Sequence, residues 1–256
     1  MDNTGRTPQW LRLALCLGLA GLLLGSWFFS PTRAMWNQLD TAVFRLFDAS
    51  LAWGYPWQVF WAAANNRAAD ALAALLFLGI FLHYMLSGEK SELGTRLAQG
   101  VFTAACTILA LDLFSEYVFN FDRPSPTLVL PDALRLSELV PWLPTKDSSG
   151  ASFPGDHGAA LVLFTSFIWF FAGRRHGMVA LGVSLFFVWP RLVGGAHWLS
   201  DLLVGSSFVS LVTLSLLLAT PVHSLAINVL RRLSDPLAMW FIRVTGWKGA
   251  PASRES

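Results

Sequence analysis

Residues 190–201 read PRLVGGAHWLSD and set Arg191, His197 and Asp201 in the order R-x5-H-x3-D. If the chain is helical from Trp198 onward, His197 and Asp201 lie one turn apart on the same helix face. A carboxylate at that spacing can accept a proton from one imidazole nitrogen, which leaves the other nitrogen free to attack. Arg191 offers a planar group for phosphate oxygens. An interfacial histidine with a helix-capping aspartate is the plain alternative, but these charges interrupt an apolar run, where ionisable residues are usually functional.

The composition indicates an integral membrane protein surrounded by membrane lipids. Of the 256 residues, 54% are hydrophobic and 13% are charged, which is roughly half the charged fraction of a soluble domain. The net charge of +2 comes without the basic clusters that a nucleic-acid binder needs, so no nucleic-acid partner is predicted. Cys16 and Cys106 both fall in apolar runs, which predicts neither a disulfide nor a zinc site.

Six apolar runs are long enough, or nearly so, to cross a bilayer, and they predict an all-α membrane protein. They cover about residues 11–29, 69–86, 97–119, 158–172, 178–193 and 199–219. The first run is long enough to span and has no clear cleavage site, so an uncleaved helix is predicted rather than a signal peptide. Lys and Arg favour a topology with both termini in the cytoplasm, and the loop GRRHG at 173–177 is its clearest anchor.

Two further segments are predicted to lie along the membrane surface. Residues 33–51 repeat large apolar side chains every four positions, which is typical of an amphipathic helix on the outer surface. A second amphipathic segment, about residues 224–245, is predicted along the inner surface. The whole chain, residues 1–256, is interpreted as one polytopic domain with its core at about residues 60–220.

With this topology, other charged residues reach the outer face near residues 190–201. Arg123-Pro124 follows the third apolar run, and PGDH at 154–157 directly precedes the fourth, so His157 lies near a helix N-terminus. Unpaired N–H groups at such an end favour a phosphate, and Gly155 lets backbone approach an anion closely. Taken singly, PGDH could be a proline stop with an Asp N-cap and Arg123 an interfacial anchor. Two His, two Arg and an Asp at one depth are costly to hold near hydrocarbon without a ligand.

These motifs resemble the three signatures of the type 2 phosphatidic acid phosphatase (PAP2) superfamily, which are K-x6-RP, PSGH and SR-x5-H-x3-D. Residues 190–201 match the third signature, with Pro190 where Ser is usual. Residues 154–157 match the second, with Gly155-Asp156 in place of Ser-Gly. The resemblance implies six transmembrane helices around the helical core of that superfamily.

The first signature is kept only in part. Arg123-Pro124 is present, but Glu116 stands where the phosphate-binding Lys is usual. Lys146, in the outer loop before His157, could take the place of that Lys, and so could Arg67.

The resemblance also implies a role for each site residue. His197 would be the nucleophile with Asp201 as its orienting partner, and His157 would protonate the leaving group and later deprotonate the acceptor. Phosphoryl oxygens would be held by Arg123 and Arg191, with further phosphate contacts from Lys146, Gly155, Asp156 and Arg67. The reaction would be a phosphoryl transfer through a phosphohistidine. No cofactor and no metal is predicted, because no third ligand set accompanies the H-x3-D pair.

A closer likeness is to the enzymes of this superfamily that move a phosphate from undecaprenyl pyrophosphate, the donor, to the 1-phosphate of lipid A, the acceptor. The segments that carry it are NNRAAD (65–70), RPSPTL (123–128), PTKDSSGASFPGDHG (144–158) and PRLVGGAHWLSDLLVGS (190–206). It implies a transferase in the bacterial inner membrane with its site facing the periplasm. One alternative is an undecaprenyl-pyrophosphate or phospholipid phosphatase with water as acceptor. Another is a catalytically silent lipid-binding or scaffold protein, although binding alone needs cations rather than an oriented neutral imidazole.

Overall fold

The computed structural model describes residues 9–250, and within this part the chain forms ten α-helices and no strand. The helices are α1 (Gln9–Phe28), α2 (Ser30–Ser50), α3 (Tyr55–Ala64), α4 (Arg67–Leu86), α5 (Leu93–Asp112), α6 (Pro126–Val129), α7 (Leu136–Leu139), α8 (Asp156–Val193), α9 (Ser207–Leu218) and α10 (Val222–Thr245). A π-helical segment, Leu113–Val118, extends α5, and a second one, Asp201–Ser206, leads into α9. The predicted all-α fold class is confirmed for these residues.

Five helical runs in the described part are long and apolar enough to cross a membrane. They are Gln9–Phe28, Arg67–Leu86, Lys90–Val118, Asp156–Val193 and Asp201–Leu218. Their outer surfaces carry large apolar side chains, and Leu22, Leu75 and Ile108 are 76%, 62% and 64% exposed. Such surfaces are stable in lipid rather than in water, so the protein is a membrane protein.

Helix α8 is a hairpin, which differs from the two separate helices predicted at 158–172 and 178–193. Gly173 breaks the helix with φ 78° and ψ −178°, a backbone conformation that L side chains rarely adopt. The two arms then fold against each other, and the hydroxyl oxygens of Thr165 and Ser184 lie 2.6 Å apart across their contact. The fourth and fifth predicted runs are therefore the two arms of one helical run, and the described part has five runs of membrane-spanning length where the sequence predicted six.

The two segments predicted to be amphipathic form α2 and α10. Helix α2 buries Asp40, Phe44 and Asp48, which are spaced four residues apart and so lie on one face. This face packs toward α8 and the turn after it, where the rings of Phe44 and Trp198 lie 6.4 Å apart. Helix α10 lies along α5.

The ends of several helices meet at one end of the bundle and form the candidate site. They are the start of α4, the end of α5, both ends of α8 and the segment that leads into α9. A cluster of aromatic rings fixes the loop before α8, since the ring of Phe153 lies 4.5 Å from that of Trp27 and 5.0 Å from that of Phe119. The fold in this way holds residues 152–157 against residues 190–201.

Candidate active site

Residues 190–201 form a tight turn between the second arm of α8 and the helical run into α9. Gly195 has φ 70°, and a Cβ at this position would lie 2.6 Å from Thr127 Cγ2, so only glycine fits without a shift. The backbone N–H of His197 donates to the carbonyl of Arg191 at 3.2 Å. The turn thereby fixes the backbone of the histidine relative to that of the arginine.

His197 is oriented by a backbone carbonyl. Its Nδ1 lies 2.8 Å from the carbonyl oxygen of Ser152, which can only accept, so Nδ1 carries the hydrogen and Nε2 keeps a free lone pair. The nearest carboxylate oxygen of Asp201 is 3.5 Å from Nδ1. The predicted one-turn proximity of His197 and Asp201 is present, but the acceptor at hydrogen-bond distance is Ser152 rather than Asp201.

Asp201 is itself held on two sides. One carboxylate oxygen accepts from Arg123 and the other accepts from the backbone N–H of Trp198 at 2.8 Å. Arg123 does not line the cavity described below, and its contact with a substrate phosphate stays a prediction. In this structure the guanidinium neutralises the buried Asp201 carboxylate beside His197.

Arg123 also connects the site to α2. Its second terminal nitrogen donates to Asp40 at 2.8 Å and to Ser200 Oγ at 2.9 Å, and Asp40 in turn accepts from the backbone N–H of Ser200 at 2.7 Å. Burial raises the pKa of Asp40, while hydrogen bonds from Ser200 and the charge of Arg123 oppose that rise. A buried carboxylate of α2 thus belongs to the network that holds the turn carrying His197.

A cavity of about 340 Å³ opens beside this network. It is lined by residues from four separate segments: Asp70, Leu111, Lys146, Ser149, Ala151, Ser152, Gly155, Asp156, His157, Ala160, Arg191 and His197. The predicted site residues His157, His197, Arg191, Lys146, Gly155 and Asp156 are therefore brought together. A cavity of this size, lined by these charged and polar side chains, suits a phosphate better than an apolar ligand.

His157 lines the cavity, and one of its two ring nitrogens is occupied by a backbone carbonyl. Its Nε2 lies 3.0 Å from the carbonyl oxygen of Phe187, on the opposite arm of α8. Since the carbonyl accepts, Nε2 carries a hydrogen and Nδ1 is the nitrogen that can exchange a proton with a ligand. Nδ1 lies 3.8 Å from an Asp70 carboxylate oxygen.

Arg191 is buried and already paired. One terminal nitrogen lies 2.6 Å from each oxygen of Asp70, and the other lies 3.4 Å from Asn65 Oδ1. The Asn65 amide donates to the carbonyl of Pro190 at 2.5 Å and so links the connection between α3 and α4 to the end of α8. The arginine is therefore held rigidly at the cavity wall, as a phosphate clamp requires.

Gly155 and Asp156 form the start of α8. Gly155 has φ 79°, and a Cβ there would lie 2.9 Å from the carbonyl oxygen of Asp201 and from Ser206 Oγ, so glycine permits the close approach of the two segments. Asp156 accepts from Ser115 Oγ at 2.6 Å. Both residues line the cavity at a helix N-terminus, where an anion is stabilised.

The two candidates for the missing signature lysine lie in different places. Lys146 lines the cavity, and its backbone N–H donates to the carbonyl of Asn65 at 3.1 Å. Arg67 is exposed at the start of α4 and does not line the cavity. The geometry favours Lys146.

An apolar groove of about 390 Å³ lies along the same helices as the cavity. It is lined by α4, α5 and the first arm of α8, including Ala74 and Phe164. Ala74 is one helical turn beyond Asp70, and Phe164 is one turn beyond Ala160. A polar cavity is thus followed by an apolar groove, an arrangement that suits a ligand with a charged headgroup and a hydrocarbon chain.

Sequence reasoning assigned no role to four residues of this network: Asp40, Asp70, Ser152 and Ser200. Asp70 is in the quoted segment NNRAAD, and its place in the first turn of an apolar helix was the signal that could have identified it. Asp40 is one charge of an amphipathic helix, where polar residues are expected. Its burial depends on which face of α2 meets the bundle.

Comparison with known proteins agrees with the geometry. The model of the PAP2 superfamily matches residues 97–224, which include Arg123, His157, His197 and Asp201. The chain is 34% identical over 206 residues to "Lipid A 1-diphosphate synthase" of Escherichia coli (strain K12), and the match covers 80% of this chain and 86% of that protein. No solved structure matches the chain. With the signature residues gathered around one cavity and both matches of this extent, the chain belongs to the PAP2 superfamily.

Proposed function

We propose that this protein transfers a phosphoryl group from undecaprenyl pyrophosphate to the 1-phosphate of lipid A, through a phosphohistidine. The observation that carries the proposal is His197, whose Nδ1 is bonded to Ser152 while the residue lines a cavity that also holds Arg191 and His157. An imidazole with one nitrogen fixed and the other free is an activated nucleophile. A site that only bound phosphate would not need this tautomer.

The reaction proceeds in two displacements. In the first, Nε2 of His197 attacks the terminal phosphorus of the donor, and the bond to the bridging oxygen breaks as His157 protonates that oxygen. In the second, a phosphate oxygen of the acceptor attacks the phosphorus of the phosphohistidine, the bond from that phosphorus to Nε2 of His197 breaks, and His157 takes up the proton of the attacking P–OH group. Arg191, Lys146 and the N–H groups at the start of α8 stabilise the charge on the phosphoryl oxygens.

The lipid nature of donor and acceptor is supported by the apolar groove on α4, α5 and α8, the same helices that line the cavity. The name of the E. coli relative supports lipid A as the acceptor. Hydrolysis of undecaprenyl pyrophosphate or a phospholipid is the second candidate, since water can attack the same phosphohistidine. The name of that relative, a synthase, favours transfer over hydrolysis.

The proposed topology has six crossings, with both arms of α8 spanning the inner membrane. Both termini are cytoplasmic, and the cavity faces the periplasm. The clustered arginines at 174–175 lie at the bend of α8, opposite to the cavity end of its arms. Such a cluster favours the cytoplasmic side.

The test incubates the purified protein with labelled undecaprenyl pyrophosphate, with and without lipid A. Label on lipid A supports transfer, and free phosphate alone supports the phosphatase. His197→Ala should abolish both products and the acid-labile, base-stable phosphoenzyme. His223→Ala is the matched control, because His223 contacts the backbone near the start of α10 and does not line the cavity. Turnover by His197→Ala at the rate of the control would refute the mechanism.

A further inference from the structure

Asp70 is an acidic residue inside a site that must receive a phosphate. It lies at the start of α4, with its side chain 40% exposed, and lines the cavity. Its two oxygens share one terminal nitrogen of Arg191, each at 2.6 Å. A carboxylate in this position is the internal counter-ion of an arginine that is otherwise buried.

A bound phosphate competes with Asp70 for Arg191. The incoming group carries up to two negative charges, and the carboxylate beside it repels them unless it moves or is neutralised. Arg191 itself is tied to Asn65 and is 4% exposed, so its position changes less easily than that of the half-exposed carboxylate. The phosphate therefore displaces the carboxylate rather than the guanidinium.

His157 is the nearest partner for a displaced Asp70. Its Nδ1 is 3.8 Å from Asp70 Oδ1, and a shift of about 1 Å would bring the pair within hydrogen-bond distance. Nε2 is occupied by the carbonyl of Phe187, so Nδ1 is both the proton-exchanging nitrogen and the one that faces the carboxylate. The other charged or titratable groups that line the cavity with this imidazole are Arg191, His197, Lys146 and Asp156. Of these, Arg191 and His197 oppose a proton on His157.

We propose that Asp70 is a positioning residue that couples phosphate binding to protonation of His157, an inference that rests on the proposed phosphoryl transfer. In the free protein Asp70 pairs with Arg191. When a phosphate takes Arg191, the released Asp70 carboxylate turns towards the ring of His157, and its negative charge stabilises the imidazolium that forms when Nδ1 takes up a proton from water. That proton moves to the leaving oxygen as its bond to phosphorus breaks. The P–OH group of the acceptor returns a proton to Nδ1 in the second displacement.

The coupling is tested with Asp70→Asn, which keeps the shape and removes the charge. Without its charge, residue 70 competes less with phosphate for Arg191, so the variant should bind inorganic phosphate at least as tightly as the wild type. Its kcat with undecaprenyl pyrophosphate should fall roughly 10- to 100-fold, as expected when general acid catalysis is impaired. The high-pH limb of its kcat profile should also move to lower pH, because the imidazolium has lost its counter-ion. Asp70→Glu, which retains a carboxylate, should keep the high-pH limb of the kcat profile at the same pH as in the wild type.

The matched control is Asp132→Asn. It removes a contact of the same kind, an Asp132–Arg45 pair at 2.7 Å outside the cavity, and should leave kcat and phosphate affinity unchanged. Weaker phosphate binding by Asp70→Asn with an unchanged pH profile would overturn the proposal and leave Asp70 as an orienter of Arg191 only. If Asp70→Asn does not fold, Asp70→Ser takes its place with the same expectations. A wild type that binds phosphate but does not turn over the donor would instead refute the proposed function.

Discussion

At the scale of single residues, Lys146 and Glu116 show how the site departs from the family signatures. Glu116 occupies the signature position of the lysine and is exposed on the π-helical segment after α5, outside the cavity lining. Lys146 comes from the loop before α8 and lines the cavity. A cation is thus present in the site, but it is supplied by another segment of the chain.

Lys146→Ala should lower kcat/KM for the donor. A hydrogen bond from a cation to a phosphate contributes on the order of 1.5–3 kcal/mol, which corresponds to roughly a 10- to 150-fold loss. Lys146→Arg should lose less, and Glu116→Gln should lose very little. Arg67→Ala is the control, since Arg67 does not line the cavity. Near-normal activity of Lys146→Ala together with a large loss in Arg67→Ala would transfer the role to Arg67.

At the scale of elements, α2 contributes more than a surface anchor. It precedes the segment matched by the family model, yet its Asp40 accepts hydrogen bonds from Arg123 and from Ser200, which adjoins Asp201. Asp48, two turns further along the same face, accepts from the backbone N–H of Leu134 at 2.8 Å instead. Asp40 and Asp48 are therefore two buried carboxylates on one face of α2 that both accept hydrogen bonds, but from different segments of the chain.

Asp40→Ala should reduce kcat/KM at least tenfold, because three donors to this carboxylate, Arg123 and the N–H and hydroxyl of Ser200, lose their acceptor and the turn that carries His197 loosens. Each buried donor left without a partner costs about 1–3 kcal/mol. Asp48→Ala leaves one donor without its acceptor, so it should lose less stability and keep kcat/KM within about threefold, since its partner lies outside the catalytic network. The measurement pairs thermal unfolding in detergent with the transfer assay. Equal activity of the two variants would reduce α2 to a scaffold.

At the scale of the whole molecule, the proposed topology sends the cavity and the bend of α8 to opposite sides of the membrane. Gly150 is exposed in the loop that leads to the cavity, and a Cβ there meets no neighbour within 4 Å. Arg174 is exposed at the bend. These two positions can accept a cysteine, whereas Gly177 cannot, since a Cβ there would lie 2.6 Å from the ring of Trp169.

In a variant with Cys16 and Cys106 replaced by serine, Gly150→Cys should react with a membrane-impermeant thiol reagent added to intact spheroplasts. Arg174→Cys should react only after the membrane is permeabilised. Both variants should first be shown to retain phosphoryl transfer. The reverse labelling pattern would place the cavity in the cytoplasm, where the proposed periplasmic reaction is impossible.

The sequence by itself determined the features that depend on short-range spacing. Hydropathy over runs of about 20 residues predicts the membrane helices, and the four-residue spacing of His197 and Asp201 predicts their proximity. Only the tertiary structure decided which partners these residues have. Arg123 meets Asp40 across 83 positions, Arg191 meets Asp70 across 121, and His197 meets the Ser152 carbonyl across 45. The physical reason is that such contacts depend on which helix faces are buried against one another, and a charge on a helix has the same local spacing whether it faces lipid, water or a buried arginine.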